Sequence, residues 1–421
     1  MQQRHPSSAC KVIGGIPALA LAAALVACSS SSSPHSDPSP EAVTSFAAPA
    51  SSGSLVVNDA VAANPALVEV NLAVPAGLNV PAHTLRVPAG VQVTVLAVGL
   101  PSPRFMAFDP AGNLLVGTNA REVYRYPAMG GAIVPAAAPP APLLSGLAAP
   151  SSVAFYQGWL YVGETTRVTR YRYNPTGPLA APEVVVPDLP AGGHNTRTVA
   201  FGPDGRLYVA VGSSCNICDE TDERRAAVLR YEPDGSGYVR VAHGLRNPVG
   251  LAFQPGTGAL WAAVNERDMQ GNEIPPDLVT RVSEGADYGW PRCLPPDARP
   301  QTPGSRCAGV TPPTIGIQAH SAPLGIAFAS SLGLPEPYRD GLFVAQHGSW
   351  NRQPPAAPKL LHVAFDADGA PTGVKIFVEG WADAAGNRWG RPVGVLPAPD
   401  GSLIVSDDYA GLLYRITGGM R

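Results

Sequence analysis

The fold is decided by the stretch Pro248-Val249-Gly250-Leu251-Ala252-Phe253, because its pattern occurs six times along the chain. Each copy has a small residue or proline, an apolar triplet, a tight turn and a second apolar strand. The turn Pro203-Asp204-Gly205 is typical, since its glycine supplies the positive φ that a tight hairpin needs. The other copies are Pro103-Arg104-Phe105-Met106-Ala107-Phe108, Pro150-Ser151-Ser152-Val153-Ala154-Phe155, Arg197-Thr198-Val199-Ala200-Phe201, Pro323-Leu324-Gly325-Ile326-Ala327-Phe328 and Pro392-Val393-Gly394-Val395-Leu396.

Two further apolar segments complete most repeats. Val228-Leu229-Arg230-Tyr231 is typical of the third strand and Val184-Val185-Val186 of the fourth. The last repeat ends at Ile416 without a fourth strand, and Val91-Gln92-Val93-Thr94-Val95-Leu96 is expected to fill that place. The sequence therefore predicts an all-β fold over residues 91–416, a six-bladed β-propeller of four-stranded antiparallel blades. An N-terminal strand closes the last blade and protects its edge.

The composition agrees with a large fold of short strands. Of the 421 residues, 45% are hydrophobic and only 14% are charged, against a usual charged fraction of roughly 25%. The 47 prolines and 45 glycines suit many turns. The net charge is −3 and the cationic residues are scattered. We therefore expect no nucleic-acid partner.

The first residues have the features of a targeting segment. Basic residues precede an apolar run over residues 12–27, which is too short for a comfortable membrane span. The run ends in Leu25-Val26-Ala27-Cys28, which resembles a bacterial lipobox with Cys28 as the lipidated residue. We interpret residues 1–28 as a lipoprotein signal peptide; a plain secretory signal is the alternative.

Two segments separate this leader from the propeller. Residues 29–50 are rich in Ser, Pro and Ala and have too few large apolar residues to fold, so we expect a tether. Residues 51–90 form an N-terminal extension whose place the sequence does not fix. The expected location is outside the cytoplasm, on the periplasmic side of the outer membrane, with membrane contact only through the lipid anchor.

Four cysteines follow the leader, and an exported protein meets an oxidising compartment in which cysteines pair. The expected disulfides are Cys215–Cys218 and Cys293–Cys307. Asp219 follows Cys215-Asn216-Ile217-Cys218 where a c-type haem motif has histidine. A redox or zinc role for this pair is the alternative to a structural disulfide.

The propeller predicts where the unusual polar residues lie. In an antiparallel blade, the approach to the first strand and the loop after the second strand lie on one face, near the axis. His194, Arg246, Asn247, His320 and Arg391 precede first strands, and residues 213–222, 265–273, 346–352 and 407–408 follow second strands. All of them are therefore expected on one face, where a rigid scaffold holds the loops of a site.

The side chains predicted on this face suit a small anionic ligand with several hydrogen-bonding groups. Arginine binds carboxylates through two parallel hydrogen bonds, and histidine with a near-neutral pKa is a natural proton acceptor. The chain has no nucleophile elbow, HExxH motif or phosphate loop that would indicate another chemistry.

Three runs carry a family resemblance that extends over residues 91–416. They are Gly244-Leu245-Arg246-Asn247-Pro248-Val249-Gly250-Leu251-Ala252-Phe253, Asn272-Glu273-Ile274 and Gly285-Ala286-Asp287-Tyr288-Gly289-Trp290-Pro291. The chain resembles the glucose/sorbosone dehydrogenase family of quinoproteins, and the loop with His347 and Trp350 is closer to the sorbosone-type branch. The resemblance implies pyrroloquinoline quinone (PQQ) and Ca²⁺ as cofactors. It also implies oxidation of a sugar, sugar aldehyde or polyol, with an electron acceptor of unknown identity.

The resemblance also implies roles for particular residues. His194 matches the general base that takes the substrate hydroxyl proton while hydride passes to the quinone. Arg246 and Asn247 match the pair that contacts the quinone oxygens, with Arg246 stabilising developing negative charge. For each residue the alternative is structural, a hydrogen-bonded loop histidine and a cap on the start of the blade.

The remaining matches concern the metal and the cofactor carboxylates. Main-chain carbonyls of the loop 265–268, best matched at Arg267 and Asp268, would hold calcium as a Lewis acid. Arg391 and Asp408 match further cofactor contacts. Arg352 is our substitute for the family's cofactor-binding lysine.

Departures from the family pattern leave the substrate open. Val393 stands where glucose-oxidising members have a second arginine, and Gly193 stands where an acidic residue precedes their base. Two other functions are therefore kept as alternatives. One is a calcium-dependent lactonase-type hydrolase with Glu164, Asp268 and Asp408 as metal ligands. The other is a non-catalytic ligand-binding propeller lipoprotein.

Overall fold

The computed structural model describes residues 55–56, 66–302, 304–383 and 385–419. The predicted signal peptide, lipobox Cys28 and tether lie outside these residues. The described residues form strands, turns and loops and contain no helix. Over the same residues, therefore, no helix is long and apolar enough to span a membrane.

The described chain folds into six blades in sequence order, each with four antiparallel strands, to which short strands are added in blades three, four and five. The first strands, next to the axis, are Pro103–Phe108, Ser152–Tyr156, Arg197–Phe201, Asn247–Phe253, Pro323–Ala329 and Pro392–Pro397. The second strands are Leu114–Thr118, Trp159–Glu164, Leu207–Val211, Leu260–Asn265, Gly341–Gln346 and Leu403–Asp407. The third strands are Val123–Tyr126, Arg167–Arg172, Ala227–Tyr231, Asp277–Arg281, Lys359–Phe365 and Leu412–Gly418. The outer strands are Pro142–Leu144, Glu183–Val186, Val239–His243, Ile315–Ile317, Pro371–Glu379 and Val91–Ala97.

The first strands contact one another in a closed ring, because Pro392–Pro397 of blade six also contacts Pro103–Phe108 of blade one. The close approach explains the glycine of the repeat. A Cβ on Gly250 would lie 2.2 Å from Leu324 O, and one on Gly325 would lie 2.4 Å from Val393 O. An apolar cluster of Val249, Leu324 and Val393, with Phe105 packed against it, lies among these inner strands. The six-bladed propeller predicted from the repeats is confirmed.

The N-terminal strand closes the ring as predicted. Val91–Ala97 pairs antiparallel with the last strand, Leu412–Gly418, with Val93 opposite Ile416. The final blade thus has its fourth strand, and its edge is paired rather than open.

Residues 66–90, whose place the sequence left open, extend blade five. Val68–Asn71 and Thr84–Val87 form a hairpin whose inner strand pairs with Pro371–Glu379. Arg86 Nη1 lies 2.5 Å from Glu379 Oε1 across this junction. Leu85 is 0% exposed in the largest apolar cluster of the propeller. The hairpin is therefore part of the folded propeller core.

We expect Leu85→Ala to lower the free energy of unfolding by about 2–5 kcal/mol, because it removes a fully buried leucine and leaves a cavity. Chemical denaturation followed by tryptophan fluorescence measures the change. Glu69→Ala, on the exposed side of the same hairpin, is the matched control and should change little. A Leu85→Ala protein as stable as the unchanged one would mean that the hairpin folds independently of the blades.

Shorter strands complete the sheets. Ala286–Asp287 pairs parallel with the outer strand of blade three, and Leu55–Val56 does so with that of blade four. Two small hairpins are Ala128–Met129 with Ala132–Ile133 and Cys293–Leu294 with Arg299–Pro300. Both expected disulfides, Cys215–Cys218 and Cys293–Cys307, are present.

Candidate active site

His194 lies on the loop that leads into the first strand of blade three, and Ser213 holds its ring. Ser213 O accepts the main-chain N–H of His194 at 3.0 Å and lies 3.0 Å from Nδ1. A carbonyl oxygen only accepts, so Nδ1 carries the hydrogen and Nε2 keeps a lone pair. Nε2 forms no hydrogen bond with any described residue. Burial, aided by the charge of Arg246, lowers the pKa of His194 to about 4, so the imidazole is neutral at pH 7.

Two glycines shape the backbone around His194. Gly193 has φ +64°, and a Cβ there would lie 2.4 Å from Ser214 O. The acidic side chain that the family resemblance implies for glucose-oxidising members at residue 193 therefore does not fit this loop without a backbone shift. A Cβ on Gly212 would lie 2.5 Å from His194 Cβ and 2.4 Å from Asn247 Oδ1. Gly212 thus lets His194 approach Asn247.

Arg246 is 3% exposed and its guanidinium is held on three sides. Nη2 lies 2.7 Å from Asp268 Oδ2 in an ion pair, and Nη1 donates to Glu266 O at 2.7 Å. Nε donates to Asn216 O at 3.2 Å. These contacts join blades three and four, so the position of the Arg246 charge is fixed by the surrounding loops.

Asn351, on the loop after the second strand of blade five, links Asp268 to His320. Its Nδ2 donates to Asp268 Oδ1 at 2.8 Å and lies 3.5 Å from His320 Nδ1. His320 Nε2 in turn lies 2.7 Å from Gly271 O. Each carboxylate oxygen of Asp268 thereby accepts one hydrogen bond, Oδ2 from Arg246 and Oδ1 from Asn351.

A second cluster of charged and polar side chains comes from blades one, five and six. Asp408 Oδ1 lies 2.7 Å from His347 Nε2, and Oδ2 accepts from Arg104 Nη1 at 2.8 Å. Burial lowers the pKa of His347 to about 4, so we assign a neutral ring that donates from Nε2 to an ionised Asp408. Burial acts to raise the pKa of Asp408, but His347 and Arg104 together hold it below its ordinary value.

Arg391 and Asn247 each have side-chain polar groups that the described residues do not fully satisfy. Among the described residues, the Arg391 guanidinium donates only to the main-chain oxygens of His347, at 3.0 Å, and Gly348, at 3.3 Å. No carboxylate of the described residues lies within ion-pair distance of Arg391, although Arg104, Arg246 and Arg352 each have one. Asn247 Oδ1 is buried without a partner. A guanidinium without a carboxylate in direct contact and a buried oxygen without a hydrogen-bond donor, both judged over the described residues, are features of a polar ligand site.

Arg352 bridges two loops. Its Nη2 lies 2.8 Å from Glu273 Oε1, and Nη1 donates to Asn272 O. This contact fastens the loop after the second strand of blade five to the loop of blade four. A cofactor contact by Arg352, in place of the family's lysine, stays a prediction.

The loop 265–268 offers fewer free oxygens for calcium than its sequence indicates. The Arg267 side chain is fully buried, and Nη2 donates to Cys293 O at 2.6 Å. Asn265 O and Glu266 O accept from Arg246, and Asp268 O accepts from Asn216 Nδ2 at 2.9 Å. A carbonyl oxygen has a second lone pair, so these contacts do not exclude a cation. The Arg246 charge beside them opposes one.

The side chains proposed for the lactonase alternative do not converge. Glu164 is fully buried and pairs with Arg167 at 2.8 Å, while Thr169 Oγ1 donates to it at 2.9 Å. Among the described residues, the one cluster with the spacing of a metal site is Cys215, Cys218 and Glu220. Both of its sulfurs are joined in a disulfide, so they are not available to zinc.

The polar cluster described above, which contains His194, Arg246, Asp268, His347, Arg391 and Asp408, is called the mouth of the propeller. Several further residues that build this mouth were not predicted from the sequence. Arg104 comes from blade one, where the sequence predicted no site residue, yet it forms an ion pair with Asp408. Asn216 and Asn351 contact Asp268 from opposite sides. Arg197 and Arg225 bond to main-chain oxygens of the loop that carries His194. The sequence could have indicated Arg104 as a site residue, because the other repeats have serine, threonine, valine or leucine at the equivalent position.

The fold and the mouth define a class of protein, a six-bladed propeller with an axial site rich in arginine and histidine. The TrAA12-like family profile matches residues 85–296 and 296–419, which together are most of the chain. The chain belongs to this family, whose members are PQQ-dependent sugar dehydrogenases.

Individual relatives agree with this assignment. A PQQ-dependent pyranose dehydrogenase of Coprinopsis cinerea is 30% identical over 295 residues, which cover 53% of this chain and 39% of that protein. An uncharacterised protein of Borreliella burgdorferi is 29% identical over 218 residues, 51% of this chain and 57% of that one. The sequence matches thus span about half the length of these curated relatives.

Two solved structures share the fold. The holo form of the PQQ domain of the Coprinopsis cinerea pyranose dehydrogenase superposes with a TM-score of 0.69 at 22% identity, covering 82% of this chain and all of that one. A calcium structure of the family AA12 enzyme of Trichoderma reesei has a TM-score of 0.69 at 20% identity, covering 86% and 100%.

Proposed function

We propose that the protein is a PQQ-dependent dehydrogenase that oxidises a sugar, a sorbosone-like sugar aldehyde or a polyol by hydride transfer to the quinone. The observation that carries the proposal is the neutral His194, whose Nε2 has no hydrogen-bond partner among the described residues and which lies near the buried Arg246 of the Arg246–Asp268 ion pair. Family membership and the relatives' activity support it.

The described side chains fit PQQ, which carries carboxylates and an ortho-quinone. Arg391 lacks a carboxylate partner among the described residues and suits one of the cofactor carboxylates. Arg246 and Asn247 would hold the quinone oxygens, and Arg352 is proposed to add a further contact. Asp408 is already neutralised by Arg104, so its charge does not oppose an anionic cofactor.

Calcium is proposed at Arg267 O and the Asp268 oxygens, the donors on the loop 265–268 that suit a hard cation. A calcium ion there would share Asp268 with Arg246, which predicts weak binding without the cofactor. Isothermal titration with calcium, with and without PQQ, tests this arrangement.

The residues divide the reaction between them. When bound, PQQ supplies the two-electron acceptor for the substrate hydride. His194 Nε2 takes the hydroxyl proton, because Ser213 fixes the tautomer that leaves this nitrogen unprotonated. The Arg246 guanidinium stabilises negative charge that develops beside it, and Asp268 keeps the guanidinium in place.

The low pKa of His194 predicts the pH dependence of kcat/KM. The base works in its neutral form, so kcat/KM should stay level above about pH 5.5 and fall as the pH drops through about 4. A histidine with an ordinary pKa would give this decline near 6.5. Dye-linked rates from pH 3.5 to 8 check the prediction. His347 also has a pKa of about 4, so the pH profile of His347→Gln should be measured as well. The decline near pH 4 should persist in this variant, because it is assigned to His194.

The function is tested by adding PQQ and calcium to the purified apo protein and following absorbance and dye reduction. The panel contains aldoses, sorbosone-like aldehydes, polyols and a lactone. Failure to bind PQQ would refute the dehydrogenase proposal, and PQQ-independent lactone hydrolysis would favour the hydrolase. Faster turnover of aldehydes than of aldoses would support the sorbosone-type branch, which the loop with His347 and Trp350 resembles. The physiological electron acceptor stays unassigned.

We also propose that the protein is lipid-anchored at Cys28 on the periplasmic side of the outer membrane. Metabolic labelling with a radioactive fatty acid should mark the protein, and Cys28→Ala should abolish the label. An unlabelled unchanged protein would leave a plain secretory signal as the better interpretation, and equal labelling of the variant would rule out Cys28 as the lipidated residue.

A further inference from the structure

The Cys215–Cys218 disulfide closes a short loop directly beside the proposed catalytic groups. This disulfide loop, residues 213–218, follows the second strand of blade three. Asn216 lies between the cysteines and forms a reciprocal pair with the main chain of Asp268. Its Oδ1 accepts from Asp268 N at 2.8 Å, and its Nδ2 donates to Asp268 O at 2.9 Å.

The main chain of the same residue contacts Arg246. Asn216 O accepts from Arg246 Nε at 3.2 Å and from Trp290 Nε1 at 3.0 Å. Asn216 therefore bonds to both members of the Arg246–Asp268 ion pair. No other described residue bonds to both the guanidinium of Arg246 and the main chain of Asp268.

The start of the disulfide loop contacts His194. Ser213 O and Ser213 Oγ each lie 3.0 Å from His194 Nδ1. Ser213 Oγ also donates to Cys215 O at 2.7 Å, which ties the histidine contact to the disulfide. The disulfide loop thus touches the base on blade three and the ion pair on blade four.

We propose that Asn216 is a positioning residue for Arg246 and Asp268, and that the Cys215–Cys218 disulfide holds it there. The proposal rests on the function proposed above and gives the disulfide a role beyond stability. Residues 215–218 lie in no strand, so the crosslink restricts the conformations from which Asn216 must be ordered. Without the disulfide, more conformational entropy is lost when the loop is ordered to form the contacts of Asn216 with Asp268 and Arg246.

Two variants of the full chain test the proposal. Asn216→Ala keeps the disulfide and removes the side-chain pair with Asp268. Cys215→Ser with Cys218→Ser keeps Asn216 and removes the crosslink. The matched controls are Asn174→Ala, which removes the side-chain hydrogen bonds of a loop asparagine in blade two, and Cys293→Ser with Cys307→Ser, which removes the other disulfide.

The first readout needs no cofactor. Solvent exchange of the Arg246 Nε hydrogen, followed by NMR in the PQQ-free protein, should be roughly tenfold faster in both test variants and unchanged in both controls, because its acceptor Asn216 O is no longer fixed. Unchanged exchange in folded test variants would overturn the proposal. If the cysteine pair fails to fold, Asn216→Ala decides the role of Asn216, and Cys215→Ala with Cys218→Ala, which also lacks the crosslink, decides the role of the disulfide.

The second readout separates positioning from general stability. In PQQ-loaded protein, Asn216→Ala should lower kcat by roughly ten- to a hundredfold, with the substrate KM within about threefold of the unchanged protein. A lower melting temperature with kcat intact would overturn the proposal in favour of a structural role. Failure of all proteins to bind PQQ would refute the proposed function, while the exchange measurement would still decide how Arg246 is held.

Discussion

Replacing His194 by alanine is expected to lower kcat by about 10²–10⁴-fold, the contribution typical of a positioned general base. The substrate hydroxyl then has to lose its proton to water, while the PQQ contacts proposed for Arg246 and Arg391 are unaffected. PQQ affinity should therefore change little. Stopped-flow dye reduction gives kcat, and absorbance titration gives the affinity.

His243→Ala is the matched control, because His243 lies on the outer strand of blade three and pairs only loosely with Asp287, at 3.4 Å. It should keep full activity. Full activity of His194→Ala with PQQ still bound would remove His194 from the mechanism and leave the cofactor assignment intact.

His347 is the competing base at the same mouth. Its Nε2 is taken up by Asp408, so only Nδ1 remains to accept a proton. His347→Ala should therefore have a smaller effect on kcat than His194→Ala. The reverse order would indicate that the Asp408–His347 pair performs the proton transfer.

The repeats made the propeller predictable because each one encodes a complete blade. Proline, apolar triplet and turn glycine fix a hairpin locally, and Gly250 or Gly325 fits only where two inner strands nearly touch. The closing strand at Val91–Ala97 followed by counting strands. The strand order also predicted which loops share one face of the propeller. In an antiparallel blade, successive loops alternate between the two faces, and this alternation does not depend on side-chain packing.

The contacts inside the site were less predictable, because the ring joins residues that are far apart in sequence. Arg104 and Asp408 are 304 positions apart, and Asn351 and Asp268 are 83 apart. Asn216 sits between two cysteines, where the local sequence indicates a disulfide and nothing about the two groups it bonds. The calcium assignment is difficult for a related reason, because main-chain carbonyls carry no sequence signature and Arg246 also binds them.

Arg246→Ala is expected to lower kcat by about 10²–10³-fold, because it removes the cation proposed to stabilise charge on the oxidant and leaves Asp268 without its ion pair. Arg246→Lys keeps the charge, but a single ammonium group cannot reproduce the separate contacts to Asn216 O, Glu266 O and Asp268. It should recover only part of the lost rate. Arg240→Lys, on the outer strand of blade three, should leave kcat unchanged.

A double-mutant cycle separates the effect of the Arg246 charge from the effect of Asp268, which holds the guanidinium in place. If Asp268 acts mainly by holding Arg246, Asp268→Asn should lower kcat in the unchanged protein and have little further effect in Arg246→Ala. Independent losses in the double variant would instead give Asp268 a separate role, such as the proposed calcium ligand. Repeating the cycle at saturating calcium distinguishes these outcomes, because only a metal ligand should show a loss that added calcium reduces.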